Sequence, residues 1–141
     1  MNAIIVTFTI AAAMSSLSPL AQDKHQISPE VVQSIKIYSL PWNLLTRSRL
    51  SANQVRQMSI ATFQTEYDPL IEEILNVLND ATCHQLPDIG TRDPRKVADI
   101  TYRNGEVITA LFDKAGFWFE GSDISCSLDN NDLMAINVIF F

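Results

Sequence analysis

The sequence has little of the material from which most recognisable active sites are built. It contains four glycines, two histidines and two cysteines among 141 residues. Neither glycine-rich phosphate-binding pattern occurs, and the GxSxG, HExxH and CxxC motifs are absent. His84 adjoins Cys83, but adjacent side chains rarely face each other, so a nucleophilic pair is a poor explanation. The sequence therefore predicts no catalytic residue, no cofactor and no metal site, and it favours a protein that is not an enzyme.

Charge is also missing from the start of the chain, because the first 21 residues contain no charged side chain. Asn2 to Met14 is an apolar run of signal-peptide length, shorter than the roughly 20 residues of a membrane span. We predict a signal peptide at 1–21 and a single domain at 22–141, with no stable membrane span after cleavage. Cleavage after Ser15 is an alternative, and so is an uncleaved hydrophobic anchor. The protein is then expected to be periplasmic or secreted.

Basic residues are outnumbered, with ten Lys and Arg against sixteen Asp and Glu, a formal net charge of −6. Nucleic-acid binding needs a basic footprint, so this composition argues against a nucleic-acid partner. The charge is uneven. Residues 22–64 hold five basic and two acidic side chains, and residues 65–141 hold five basic and fourteen acidic ones. The opening stretch of the predicted domain is therefore its basic part.

Cys83 and Cys126 form an even pair in a small chain that we expect to be exported. Such a pair predicts a disulfide, because oxidising compartments preserve these bonds. Closing a loop of this length stabilises a fold by about 3–4 kcal/mol in the chain-entropy model. Two free buried thiols are the alternative.

Four elements can be placed in the first half of the domain. Residues 31–40 are predicted to form a strand that Pro41 ends, since proline cannot donate to a ladder. Ser51 and Gln54 form a capping-box pattern, which predicts a short helix from Ala52. The β-branched and aromatic stretch 58–67 predicts a second strand. The apolar stripe in 69–79, behind Asp68 as N-cap, predicts the main helix.

The second half is predicted to contain a loop over 82–95 and then a hairpin. Asn104-Gly105 is a strong signal for a two-residue type I′ turn, which would place Tyr102 opposite Val107. One core face would then carry five residues: Ala98, Ile100, Tyr102, Val107 and Leu111. A turn over 113–116 leads to another strand, in which alternation separates Phe117 and Phe119 from Trp118. Residues 133–141 fit a helix better than a strand.

Together these elements predict an α+β domain. An antiparallel sheet of about four to five strands packs against one main helix, with a short helix and a C-terminal helix in addition.

The remaining signal for function is a set of large aromatic and arginine side chains that the predicted core does not require. These residue types dominate binding hot spots at protein interfaces. The candidate binding residues are Trp42, Arg47, Arg49, Arg56 and Trp118. They favour an exported protein-binding domain, an inhibitor or immunity protein that blocks a secreted enzyme or toxin in the periplasm. The alternatives are a small enzyme or ligand-binding domain whose polar site forms only in three dimensions, and a membrane-attached accessory subunit.

Overall fold

The computed structural model describes residues 26–85, 92–129 and 131–132. Its central feature is one seven-stranded antiparallel sheet with the strand order β2-β1-β4-β5-β6-β7-β3. The strands are β1 (Val32–Ser39), β2 (Ala61–Thr65), β3 (Thr82–Gln85), β4 (Lys96–Tyr102), β5 (Val107–Asp113), β6 (Gly116–Phe119) and β7 (Ile124–Ser127). Two helices, α1 (Ala52–Met58) and α2 (Asp68–Asp80), and a 3-10 turn over Pro29–Val31 complete the described part.

The predicted architecture of four to five strands against one main helix is wrong. The sheet has seven strands, and two short helices lie on it, one on each face. The missed strands are β3, which lies in the predicted loop over 82–95, and β7. Each has four residues, too few to show a period of two, and the two pair with each other through Cys83 and Cys126. The prediction failed because these segments are strands through their hydrogen bonds to neighbouring strands, and the hydrophobic pattern of four residues does not show this.

The α2 face of the sheet is closed by apolar packing. Helix α2 buries Ile71, Ile74, Leu75 and Leu78 against it. The sheet contributes Val32, Ile35, Ile37, Ala98, Ile100, Ala110, Phe112, Phe117, Phe119 and Cys126. Burial of this many large side chains is the main source of stability, at about 1.5–3 kcal/mol for each fully buried one.

The α1 face carries a smaller core. Helix α1 has seven residues and buries only Ala52 and Val55. The rest of this cluster is Leu40, Leu50, Val97, Leu111 and Trp118. Phe117 and Phe119 therefore lie on the α2 face and Trp118 on the α1 face, as alternation predicted.

The β4–β5 hairpin has a register one residue away from the predicted one. The Gly105 N–H donates to the Tyr102 carbonyl at 2.9 Å, and the Tyr102 N–H donates to the Glu106 carbonyl at 2.8 Å. Only Gly105 needs a positive φ, +94°, so the turn has three loop residues and a glycine bulge in place of a type I′ turn. Thr101 consequently pairs with Val107. A one-residue slip exchanges faces on one strand relative to the other, so the β5 half of the predicted core face, Val107 and Leu111, is wrong, whereas Ala98, Ile100 and Tyr102 on β4 lie on the α2 face as predicted.

The slip has visible consequences on β5. Ile108, Ala110 and Phe112 lie on the α2 face, Leu111 lies on the α1 face, and Val107 is 54% exposed. A two-residue turn would have set Arg103 opposite Glu106, but the three-residue loop sets Tyr102 opposite Glu106. The Arg103 Nε–H donates instead to the Glu30 carbonyl at 2.9 Å.

The helix starts follow the sequence signals with one correction. The capping box at α1 is confirmed, with the Ser51 side chain accepting from the Gln54 N–H and the Gln54 side chain accepting from the Ser51 N–H. Helix α2 begins at Asp68 itself, and its N-cap is Tyr67 without a side-chain hydrogen bond. Asp68 thus lies in the first turn, where a carboxylate interacts favourably with the helix dipole.

The Cys83–Cys126 disulfide is confirmed and joins β3 to β7 directly across the ladder. The predicted signal peptide at 1–21 and the element predicted at 133–141 lie outside the described residues. In the part of the chain that is described, no helix is both long enough and apolar enough to cross a bilayer.

Candidate functional site

A ten-residue loop over residues 41–50 lies between β1 and α1. Leu44 and Leu50 belong to the α1 side of the sheet, whereas Trp42 packs against the α2-face core. Its first turn is closed by the Leu44 N–H, which donates to the Pro41 carbonyl at 3.1 Å. Leu44 then packs against the α1-face core beside the buried Leu40 and Leu50. The two ends and one middle residue of the loop are therefore anchored. We call this segment the presenting loop.

Arg95 holds the presenting loop from beneath. Its Nε and Nη2 groups both donate to the Leu44 carbonyl, at 3.0 and 2.8 Å. The same Nη2 donates to an Asp93 carboxylate oxygen at 2.9 Å, and Nη1 donates to the Pro94 carbonyl at 2.9 Å. Arg95 is only 8% exposed. A buried guanidinium with several acceptors fixes the position of Leu44, because losing any of them would leave a buried donor unpaired.

Asp93 holds the other end of the presenting loop. Its second carboxylate oxygen accepts from the Leu50 N–H at 2.8 Å. Burial acts to raise the pKa of Asp93, but hydrogen bonds from Arg95 and the Leu50 N–H, with the charges of Arg95 and Arg49, outweigh it and lower the pKa. The ionised form of Asp93 is therefore the one that the folded loop favours.

The tip of the presenting loop is exposed. Leu45 is 91% exposed, although its neighbour Leu44 is packed into the core cluster. Arg47 and Arg49 are exposed as well, and the Thr46 hydroxyl donates to the Ser48 carbonyl at 2.7 Å within the tip. The loop thus exposes one apolar side chain, Leu45, and two cations, Arg47 and Arg49, while Leu44 and Leu50 on either side of Leu45 and the arginines are fixed by hydrogen bonds.

A cleft of about 290 Å³ lies beside the loop on the α1 face. Arg49 and Trp118 line it, together with Arg92. The Arg92 guanidinium stacks on the Trp118 ring, 4.5 Å from its centroid, and also pairs with Asp113 and the Ser125 hydroxyl. Such stacking keeps both planar groups rigid. The cleft therefore has a fixed aromatic and cationic floor.

A second, more open cleft of about 570 Å³ shares Arg92 with the first as a lining residue. It is lined by Trp42 and Lys114, and by Leu45 from the loop tip. The buried Lys96 ammonium lies 4.5 Å from the centroid of the Trp42 ring and donates to the Leu40 carbonyl at 3.4 Å. Burial lowers the pKa of Lys96. The Trp42 ring is thus also packed against a buried cation, the Lys96 ammonium.

Four of the five predicted binding residues lie around the presenting loop. Trp42, Arg47 and Arg49 belong to it, and Trp118 forms the floor of the neighbouring cleft. Their role in binding stays a prediction.

Arg56 lies elsewhere and has a structural contact. Its Nε and Nη2 groups donate to the two Asp99 carboxylate oxygens at 3.0 and 2.7 Å, and Nη2 also donates to the Thr109 hydroxyl at 3.1 Å. The hydrogen bond to Asp99 raises the pKa of Arg56, while burial acts in the opposite direction. This two-point pair ties α1 to β4 and β5.

The sequence did not identify the residues that shape the site. Leu45 is the exposed apolar tip, and Asp93, Arg95 and Arg92 form its support. Leu45 could have been noticed as an apolar residue inside a predicted loop. The other three lie in a stretch predicted as loop, and only the sheet brings them under the segment 41–50.

His84 lies exposed on the edge strand β3. Within residues 26–85, 92–129 and 131–132, no three His, Cys, Asp or Glu side chains are placed to hold a metal ion. Comparisons with protein-family models, with curated proteins and with solved structures found no match to this chain.

Proposed function

We propose that this chain is an exported protein-binding domain, an inhibitor or immunity protein, and that the presenting loop enters a partner enzyme or toxin. One observation carries the proposal: Leu45 is 91% exposed at the tip of a loop whose base is fixed by Arg95 and Asp93. An exposed leucine alone would mean little, since most surfaces carry apolar residues. Its rigid support is what distinguishes it.

Rigid support matters because binding has to overcome the entropy of ordering the loop. Ordering a side chain at an interface costs about 0.5–1.5 kcal/mol, and a loop that is already fixed avoids much of this cost. Arg95 donates to the Leu44 carbonyl before the exposed tip, and Asp93 accepts from the Leu50 N–H after it. The tip can then bind with little change in backbone conformation.

The chemistry of the tip indicates the kind of partner surface. Leu45 needs an apolar pocket, and Arg47 and Arg49 need carboxylates at its rim. The clefts beside the loop, floored by Trp118 and Trp42, would receive side chains from that rim. An enzyme cleft with an acidic border fits this description, and opposite charges would also speed the encounter.

The disulfide supports a site of action outside the cytoplasm. Cys83 and Cys126 are joined, and such bonds persist mainly in oxidising compartments. Export itself, and the identity of the blocked enzyme, belong to the proposal.

The test is site-specific photo-crosslinking in the cells that produce the protein. A benzophenone amino acid replaces Leu45 in one variant and Val107 in a matched control. Val107 is also an exposed aliphatic residue, 54% exposed, and lies at the opposite end of β5 from the loop. We expect one discrete adduct from position 45 and none from position 107.

The captured protein is then purified and assayed. The proposal requires it to be an enzyme or toxin whose activity falls on addition of the wild-type chain. The Arg47→Glu/Arg49→Glu variant should inhibit far less. No adduct at position 45, equal adducts at both positions, or a captured protein whose activity the chain leaves unchanged would overturn the proposal.

A further inference from the structure

The edge strand β2 presents a second surface, independent of the presenting loop. It is the last strand on one side of the sheet, paired with β1 on its inner edge, with Ile37 opposite Phe63. In the described part of the chain, no strand pairs with its outer edge. An outer edge carries a row of backbone donors and acceptors that can receive another strand.

The strand lacks the features that usually protect such an edge. Residues 57–65 contain no charged residue, no proline and no glycine. Edge strands are commonly protected by charges, proline or bulges, and β2 carries neither of the first two along its length. Ile60 is 75% exposed just before the strand and Tyr67 is 67% exposed just after it. The strand is therefore uncharged along its length, with Ile60 exposed just before it and Tyr67 exposed just beyond Glu66.

We propose that β2 pairs with β2 of a second copy of this chain, antiparallel about a two-fold axis at Phe63. This register places Phe63 opposite its own copy and Thr62 opposite Gln64. The sheets of the two copies then form one continuous sheet. The interaction is isologous, so it closes as a dimer.

Self-complementarity favours a second copy over an unrelated peptide as the occupant. The proposed register brings no two like charges together, because Glu66 would lie opposite Ile60 and the pairs between them are uncharged. Phe63 is half-buried at the rim of the α2-face core. Two Phe63 rings meeting across the axis would extend that core from one copy to the other, and aromatic cross-strand pairs stabilise sheets.

The other edge of the sheet provides an internal control. Strand β3 also has two exposed residues with a spacing of two, Thr82 and His84. Thr62 and Gln64 have the same spacing and are exposed on β2. Lysines placed at either pair add the same charge to an edge strand. Only those on β2 would face their own copies in the proposed dimer.

The experiment is sedimentation velocity of the full chain, as purified with its disulfide intact, over a concentration series. We expect a monomer–dimer equilibrium for the wild type. Thr62→Lys/Gln64→Lys should weaken the dimer about tenfold or more, since it sets two pairs of like charges opposite each other. Thr82→Lys/His84→Lys should leave it unchanged. Circular dichroism and thermal unfolding establish that both variants fold.

Mixing adds a test of register. Equimolar Thr62→Lys/Gln64→Lys and Thr62→Glu/Gln64→Glu chains should restore dimerisation, as heterodimers, because opposite charges then face each other. A wild-type chain that stays monomeric throughout the series overturns the proposal. So does a dimer that tolerates lysines on β2, one that is lost with lysines on β3, or a charged mixture that stays monomeric.

Discussion

The two faces of the sheet are closed by different kinds of interaction. On the α2 face, a helix of thirteen residues and a set of phenylalanines form an apolar core. On the α1 face, a helix of seven residues buries only Ala52 and Val55, and three guanidinium–carboxylate pairs make up much of the rest. The first face stabilises the fold, and the second positions exposed groups.

Arginine pairs suit the second purpose because they are directional. An apolar contact tolerates sliding, whereas a guanidinium with several acceptors sets both distance and orientation. Arg95 fixes the Leu44 carbonyl, Arg92 fixes the Trp118 ring, and Arg56 fixes α1 on the sheet. The candidate site therefore lies on the side of the sheet where apolar packing is smallest and where arginine pairs fix the positions of the side chains.

Adjacent residues on β5 allow the two faces to be compared directly, and here we expect the largest effect. Phe112 is fully buried on the α2 face, so Phe112→Ala should lower the free energy of unfolding by about 3–5 kcal/mol. Leu111 faces the α1 side and lines the cleft beside the loop. Leu111→Ala should lower the free energy of unfolding by only about 2 kcal/mol, because water from the cleft can occupy the space. Urea unfolding measures both, and an equal or reversed ranking would break the distinction between the faces.

The Arg56–Asp99 pair is the next test, with a smaller expected effect. Both side chains are partly exposed, so the pair should be worth less than a fully buried one. A double-mutant cycle with Arg56→Met and Asp99→Asn should give a coupling free energy of about 1–2 kcal/mol. A coupling near zero in urea unfolding would mean that packing alone holds α1 on the sheet.

The ionisation of Asp93 should make the stability of the fold depend modestly on pH in the acid range. Its pKa is lower in the folded state than in the unfolded one. The stability that it contributes is therefore present above the unfolded pKa, about 3.9, and is lost as the pH falls through the folded pKa. The advantage of the wild type over Asp93→Asn in urea midpoint should be constant at pH values above the unfolded pKa and should shrink as the pH falls below it. An advantage that is the same at all these pH values would contradict the ionised role of Asp93.

Local signals in the sequence located the elements that form by themselves. The capping box of α1, the apolar stripe of α2 and the alternation in β6 all reappear in the fold. The hairpin register failed because Asn-Gly allows more than one turn, and the bulge at Gly105 is decided by how the strands pack. Among the described strands, β3 pairs with β7 alone, and β7 is held between β6 and β3, so these short segments become strands through pairing and show no signal by themselves.

Sequence analysis identified Trp42, Arg47 and Arg49 of the candidate site, but neither its exposed tip, Leu45, nor its support. Trp42, Arg47 and Arg49 stand out by residue type in a stretch between two clear elements. Nothing local links them to Asp93 and Arg95, which lie more than forty positions later and arrive beneath the loop only because β1 pairs with β4. Arginine and tryptophan side chains stand out by residue type, but the rigidity of the loop that carries them depends on contacts that are distant in sequence.

The most direct test of the account measures how strongly Leu45 contributes to partner binding without contributing to stability. Leu45→Ala and Val107→Ala are compared with the wild type for affinity to the protein captured by crosslinking, and for thermal unfolding. We predict that Leu45→Ala binds about tenfold more weakly or worse, while its stability stays within about 0.5 kcal/mol. Val107→Ala should bind like the wild type. Unchanged affinity of Leu45→Ala, or an equal loss in both variants, would contradict the presenting loop as the binding element.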